Sequence, residues 1–363
     1  MNILFTRFPL ESAFGGAEVQ TLSLIKGLTG RGHEVEFMGS CKTLLEKTQD
    51  TGLKTQELCI GNPPVTKFGA ISFMWRKMRM KRQLEQYLQA TNYKLQAIFM
   101  LSLSEKLLLT DHLVSQGVQV FWVEHDRVGK WLTKNPWLPR LRKLSERVTT
   151  IVVSDLSKEI YVKMGWKPER VVAIPNGIDV ERFIRGTGQR PVRPHARDAH
   201  ATHFKLGCIA RLTKDKGVDV LIDAIKDIPN VELTIVGQGP EEKHIGSMSK
   251  QIKIIPTTDV TSFYQQIDCL ILPSRDHDPF GLVIAEAMSA GVPTICTDAC
   301  GISAHLESDE SIIIPAGDAS ALKEAIIRIQ DKETWSKLSK NGPRIAQEKF
   351  SLEKMISAYE ALI

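Results

Sequence analysis

Two carboxylates eight positions apart, Asp278 and Glu286, are the side chains in this sequence best placed to do chemistry. They lie in DPFGLVIAEAMSAGVPTI (278–295), where Glu286 is the only charged residue between Pro279 and Thr297. Its neighbours are small and apolar, and a carboxylate buried among them without a partner costs several kcal/mol. CLILPS (269–274) reads as a buried strand and Gly281–Ser289 as the helix after it, which makes 278–281 a strand-to-helix loop. The N–H groups of Gly281, Leu282 and Val283 open that helix without intrahelical partners and attract phosphate or hydroxyl oxygens. Glu286 falls about one turn further in, above Leu282. The two carboxylates then flank a row of donors. Each can grip a pair of vicinal hydroxyls, at about 1.5–3 kcal/mol per hydrogen bond to a charged acceptor. That arrangement suits a nucleoside diphosphate sugar, with ribose at one carboxylate, hexose at the other and phosphate at the helix start. The alternative is a Glu286 satisfied inside the protein by an arginine or a backbone N–H.

Further loops bear on the same chemistry. ARLTKDKG (210–217) sets Arg211 and Lys216 beside the start of a helix opened by Val218, a site for a pyrophosphate, with Lys214 turned to solvent. In VGQGP (236–240), Gly237 and Gly239 let a ligand approach the backbone closely. Gly15-Gly16-Ala17-Glu18 ends a loop and starts a helix through Leu22 and Ile25, offering N–H groups to phosphates or simply capping a tight turn. Asp276-His277-Asp278 has the form of a metal-binding DxD, but Asp278 already has a role, and no metal or other cofactor is expected.

These loops need a frame, and the sequence supplies one. Apolar runs NILFTR, HEVEFMG, AIFMLS, VQVFWVE, TTIVVS and RVVAIP alternate with helical patterns in the first half. KLGCIA, VELTIVG, IKIIP, CLILPS, VPTICT and SIIIPA do so in the second. Val218, Leu221, Ile222 and Ile225 fall at helical spacing, as does the set beginning at Ala321. Such alternation predicts two α/β domains with parallel sheets, and ligands in open α/β sheets bind beyond the carboxyl ends of the strands. The stretch RGTGQRPVRPHARDAHAT has no periodicity and reads as a linker. The expected divisions are a first domain over 1–184, a linker over 185–204, a second domain over 205–345, and a C-terminal helix over 346–363 packing back on the first.

With 363 residues, 42% hydrophobic and 25% charged, the composition is that of a soluble globular protein of about two domains. NILF is broken by Arg7 too early for a signal peptide, and no window approaches the roughly 18 apolar residues of a membrane span. The six cysteines are scattered without a CxxC pair and read as reduced thiols in a cytoplasmic protein. Charge is uneven: residues 1–185 hold 27 Lys/Arg against 18 Asp/Glu, and residues 186–363 hold 20 against 24. An anionic partner for the first half follows. Its densest basic cluster is Trp75, Arg76, Lys77, Arg79, Lys81 and Arg82, with a second at Arg140–Lys143 behind Trp137. Basic residues mixed with Trp and Met suit an anionic membrane at the inner face of the cell, or a lipid-linked acceptor; the plainer reading is a solvated helix face. No nucleic-acid-binding module accompanies them.

Together these elements resemble the large family of retaining glycosyltransferases numbered family four, whose two-domain fold is called GT-B. The resemblance runs through the Gly15–Glu18 loop, RGHEV (31–35), the strand ending at His125, IVVS (151–154), PNGID (175–179), the Arg211/Lys216 pair, VGQGP and Asp278–Gly291. The last is similar to the family's motif of Glu, seven residues, Glu, then a helix of small residues. The resemblance implies two Rossmann-like parallel-sheet domains facing each other across a cleft. It implies that Arg211 and Lys216 bind the diphosphate and that Glu286 binds the ribose. Asp278 would hold the hexose, with the N–H groups of Phe280, Gly281 and Leu282, while Val283 and Gly16 address the phosphates and His125 lies near the sugar. Three positions depart from the pattern: Asp278 in place of Glu, Ala210 in place of Gly, and Pro256 where Gly is common beside the base.

The expected reaction moves a hexose from a UDP- or GDP-sugar to the hydroxyl of a lipid-linked or small-molecule acceptor, with retention. Double displacement needs a carboxylate nucleophile near the anomeric carbon. Glu124 and Asp126 flank His125, but strand alternation turns both away from it. Front-face attack is therefore expected, with the departing diphosphate as base. A dinucleotide-dependent oxidoreductase is excluded, because no GxGxxG follows the first strand. A sugar-nucleotide epimerase of the same fold and a non-catalytic sugar-nucleotide-binding protein remain the alternatives.

Overall fold

The computed structural model describes residues 1–11, 15–50, 52–90, 94–187, 203–249 and 252–363, the side chains of 90 and 185–187 excepted. Most of the expected linker lies outside the described residues. The chain divides into two compact units, Met1–Pro175 with Met355–Ile363, and Asn176–Lys354. The first crossing thus falls at 175/176 rather than 184/185, because the segment after Pro175 is pinned to the end of the second unit's long helix. There Ile178 N–H donates to the Phe350 carbonyl at 2.8 Å and Leu352 N–H to that of Ile178 at 3.0 Å.

The first unit is built on seven parallel strands: β1 (Asn2–Arg7), β2 (Glu34–Gly39), β3 (Lys54–Glu57), β4 (Ala97–Met100), β5 (Gln119–Glu124), β6 (Thr149–Val152) and β7 (Val171–Ala173), in the order β3-β2-β1-β4-β5-β6-β7. Phe5, Phe99 and Phe121 occupy one register across β1, β4 and β5 and stack at 4.7 and 4.9 Å. Tyr359 of the C-terminal helix Leu352–Glu360 closes over that ladder, and Glu360 ties to Arg31 and His33. The sequence pattern missed β3: KTQE is a polar edge strand with no buried residue, so it carries no apolar signature.

The second unit has six parallel strands: β8 (Phe204–Ile209), β9 (Val231–Val236), β10 (Ile252–Ile255), β11 (Cys269–Leu272), β12 (Thr294–Thr297) and β13 (Ile312–Ile314), in the order β10-β9-β8-β11-β12-β13. β8 and β11 are neighbours, and the strand order reverses between them. The loops leaving their carboxyl ends, 210–217 and 273–281, therefore emerge side by side at the position where open α/β sheets bind ligands. The helix Leu282–Ser289 packs on the helix Lys332–Phe350, where Gly342 lies against the Met288 backbone. That close approach accounts for the run of small residues around Glu286.

Candidate nucleotide-sugar site

In the second unit the two loops meet through a glycine. Gly217 has φ +63, and a Cβ there would fall on the Pro273 carbonyl oxygen, so no other residue lets the loops touch without strain. The contact brings Lys216 Nζ to 2.6 Å from Asp278 Oδ2, with both side chains largely buried. Ser274 Oγ donates to the same oxygen at 3.3 Å. The Asp278 backbone is fixed as well: its N–H donates to the Ala299 carbonyl and its carbonyl accepts from Gly301, both at 2.9 Å. Asp278 is thus a neutralised and rigidly held carboxylate.

Gly281 (φ +100) caps the following helix, which starts at Leu282, one residue later than its sequence suggests. Among the described residues the N–H groups of Phe280, Gly281, Leu282 and Val283 donate to nothing. The Phe280 ring is buried edge-on against Phe350 at 5.7 Å and its carbonyl accepts from Ile302 at 2.7 Å, so only its N–H is open. Glu286 does find a partner within the protein, and it is neither an arginine nor a backbone N–H. The Tyr264 hydroxyl donates to Glu286 Oε2 at 2.8 Å and reaches the Val283 carbonyl at 3.4 Å. Oε1 accepts no hydrogen bond among the described residues. Burial pushes the Glu286 carboxyl up to about 7, against the Tyr264 hydrogen bond and the nearby Arg182 charge. Two oxygens of one carboxylate therefore divide their work, one anchored and one open.

Arg211 is exposed with no ion pair among the described residues, and Lys214 also faces solvent. Gly237 and Gly239 are required by the fold itself. A Cβ on Gly237 would strike the Ala210 carbonyl, and one on Gly239 that of Leu212, so the backbone they admit is that of the 210–212 loop. Pro256 follows β10, whose Ile255 carbonyl accepts from Gly237 N–H at 2.9 Å.

In the first unit Gly15 N–H donates to Glu18 Oε2 at 3.0 Å, and Glu18 pairs with Arg7 at the end of β1, both buried. Gly16 starts the helix Gly16–Gly30; its N–H and that of Ala17 are unengaged among the described residues. His125 follows β5, partly buried, with its Nδ1 enclosed and lacking a hydrogen-bond partner. Burial and then the Arg7 charge pull its pKa down to about 4, with Asp126 opposing and Lys106 adding to the fall, so the imidazole is neutral at neutral pH. Glu124 is held inside by Lys106 at 2.8 Å, and Asp126 is exposed. Glu105, buried on the helix Leu103–Ser115, is pushed by burial up to about 7.

The basic cluster lies on the helix Lys67–Ala90, which sorts its members. Arg76 folds back onto the Asn62 carbonyl at 3.1 Å, Lys77 lies over the Trp137 ring at 5.3 Å, and Lys81 pairs with Glu85 at 3.4 Å. Trp75, Arg79 and Arg82 remain exposed. Among the described residues no helix is long and apolar enough to cross a membrane.

The partners Tyr264, Ser274, Arg182, Arg7 and Lys106 are given no site role in the sequence reading. Tyr264 stands 22 residues before Glu286, in a pattern (VTSFY) whose only signal is of core packing.

Two α/β units, each built on a parallel sheet, have the make-up of the GT-B fold. A solved structure of HepE from Anabaena, in complex with UDP and glucose, has the same fold, with a TM-score of 0.78 over 99% of this chain and 98% of that one, at 21% identity. Residues 14–182 match the profile of Glycosyltransferase Family 4 and residues 195–345 that of Glycosyl transferases group 1. The chain belongs to the group 1/family 4 glycosyltransferases. It is similar to the lipopolysaccharide core biosynthesis glycosyltransferase LpsD of Rhizobium meliloti, 28% identical over 54% of this chain and 58% of that protein. It is also similar to a phosphatidyl-myo-inositol mannosyltransferase of Mycobacterium leprae, 28% identical over 56% of each. The matched region spans little more than half the length of these relatives.

Proposed function

We propose that the protein transfers a hexose from a nucleoside diphosphate sugar to an acceptor hydroxyl with retention of configuration, in the synthesis of a cell-envelope polysaccharide or glycolipid. The observation that carries the reading is the Lys216–Asp278 pair at 2.6 Å beside four unengaged N–H groups, with one oxygen of Glu286 open. The open oxygen takes the ribose hydroxyls, the N–H groups and Lys216 take the diphosphate with Arg211, and Asp278 takes the hexose hydroxyls. The complex of HepE with UDP and glucose supports such a donor, and the names of the two relatives support a lipid-linked acceptor. The first unit serves the acceptor.

In the proposed step the bond from the anomeric carbon to the diphosphate oxygen breaks, and the acceptor oxygen bonds to the same face. Its proton passes to the leaving diphosphate. Arg211, Lys216 and the helix-start N–H groups stabilise the charge that develops there, electrostatic catalysis of the oxyanion-hole type. The burial of Glu124 against Lys106 supports this route over double displacement, because that carboxylate is already committed. His125, neutral, is a hydrogen-bonding group of the first unit rather than a cation. No cofactor enters the scheme.

The test is calorimetric titration of UDP and GDP, then their sugar conjugates, against wild type and Glu286→Ala. Tight binding of one nucleotide, lost in the variant, is the expected result. Binding that survives Glu286→Ala moves the ribose elsewhere. Release of free UDP or GDP without an acceptor favours an epimerase, and donor binding without turnover on any acceptor favours a non-catalytic protein.

A further inference from the structure

The helix Lys67–Ala90 is apolar on two opposite faces. Ala70, Phe73, Met80 and Leu84 form the inner stripe and are buried in the first unit's core, where Phe73 meets Trp137 edge-on at 5.2 Å. Half a turn away Phe68, Ile71, Met74, Trp75 and Met78 point outward, with Phe68 82%, Trp75 74% and Met78 65% exposed. A helix that is apolar all round is ordinarily covered on every side. Five large apolar side chains on roughly 15 Å of helix are more than a soluble surface normally leaves in water.

The surrounding charge says what covers them. Residues 67–84 contain no Asp or Glu. At about 100° per residue, Lys67, Arg79 and Arg82 fall on the outer arc among the apolar residues, and all three are exposed. Arg76 and Lys77 do not serve the surface, since they turn to the Asn62 carbonyl and the Trp137 ring, and Lys81 is paired along the helix with Glu85. Aromatic and Met side chains bordered by more cations than anions, with the one acid at the end of this arc, Glu85, already paired to Lys81, are the composition of a helix lying in the headgroup region of an anionic bilayer. A second copy of this chain fits less well, because a two-fold contact through this face would bring Lys67, Arg79 and Arg82 of each copy to a segment, 67–84, that offers them no Asp or Glu.

We infer that the outer face of this helix, Phe68, Ile71, Trp75 and Met78 with Arg79 and Arg82, docks the first unit onto an anionic lipid surface. The inference extends the proposed function, since it brings the acceptor-side unit to where a lipid-linked acceptor resides. It stands on the surface alone and does not require that the donor assignment be right.

The experiment is flotation of the whole protein with vesicles of phosphatidylglycerol and phosphatidylcholine, or phosphatidylcholine alone. Wild type is expected to bind the former. Phe68→Ser/Trp75→Ser/Met78→Ser should weaken that binding by about 10- to 100-fold, and Arg79→Gln/Arg82→Gln by about 25-fold. Nucleotide titration of the same variants should match wild type, which separates failure here from failure of the donor assignment. Three results overturn the inference: no binding of wild type to either vesicle, equal binding to both that ignores Arg79 and Arg82, or a dimer in light scattering that the apolar substitutions disperse.

Discussion

The Tyr264 hydroxyl is a sensitive place to test the donor site, because it acts on one oxygen of Glu286 and, in the proposed site, touches no ligand. Burial holds the Glu286 carboxyl up near 7, and the phenol at 2.8 Å works against that rise by donating to the charged form. A hydrogen bond to a charged acceptor contributes about 1.5–3 kcal/mol, and one pH unit corresponds to about 1.36 kcal/mol, so Tyr264→Phe should move the titration up by roughly one to two pH units. If the ribose binds the carboxylate, about three quarters of wild type is competent near pH 7.5, against roughly 3–24% of the variant. Nucleotide affinity should therefore fall about 3- to 25-fold at that pH and converge with wild type above about pH 10. Calorimetric titration of UDP or GDP from about pH 6 to 10 measures this, and the nucleotide's own titration cancels in the ratio. A variant whose pH profile coincides with wild type would refute the division of labour between the two carboxylate oxygens.

The same carboxyl predicts a stability effect of known sign. Because the native state raises Glu286 above its ordinary value, stability is full below about pH 4.5 and falls as pH rises through 7, by at most about 3 kcal/mol. Glu286→Gln should then resist urea better than wild type above about pH 8, equal it near pH 4.5, and lose nucleotide binding. Gly217→Ala forces both a left-handed backbone and a collision with the Pro273 carbonyl, so its thermal midpoint should drop by the equivalent of about 1–3 kcal/mol or more. In the first unit Lys106→Met strands a buried Glu124 and should cost about 3–5 kcal/mol in urea unfolding, with Lys106→Met/Glu124→Gln recovering much of it. If the double substitution is as unstable as the single, the pair is not what holds that strand end.

The frame was legible because it is written in local pattern. Every strand of the second sheet lies in a largely apolar run bounded by turn residues, so all six were recognisable in order; even the short β13 (III) shows itself through its flanking Ser and Pro. The polar edge strand β3 went unseen for the converse reason, since a strand with no buried face has no pattern to show. Asp278, Glu286, Lys216 and Arg211 were legible because a charge in an apolar context, or two cations before a helix, is anomalous by itself. Their partners were not. Tyr264 and Ser274 look like ordinary core and turn residues until the fold brings them to a carboxylate. The glycines of VGQGP were read as an opening for a ligand, and the fold makes a separate demand on them that the sequence did not show, the close approach of the 210–212 loop. The basic cluster shows the same limit from the other side: composition identified the segment, but helical phase decides that Arg76 and Lys77 turn inward while Phe68 and Met78 turn out.

Lys216 and Asp278 pose a question of charge that their pairing answers. In the proposed site, the carboxylate that grips the hexose hydroxyls stands close to a diphosphate carrying two or more negative charges. Two like charges about 5 Å apart repel by roughly 3 kcal/mol at an effective dielectric of about 20. Lys216 at 2.6 Å cancels the charge of Asp278 while its ammonium keeps two further donors for phosphate. Removing it should therefore do two things at once: withdraw a cation from the diphosphate, and uncover an anion beside it. Turnover of Lys216→Ala should fall by about 10²-fold or more. Binding of the nucleotide alone should show the second effect separately, because Lys216→Ala/Asp278→Asn removes the uncovered anion and should bind UDP or GDP about 10- to 100-fold more tightly than Lys216→Ala. Turnover should stay low in both, since the amide that replaces the Asp278 carboxylate no longer offers a charged acceptor to the hexose. If the double variant binds the nucleotide no better than the single one, Asp278 does not face the diphosphate, and the hexose must be held by another group.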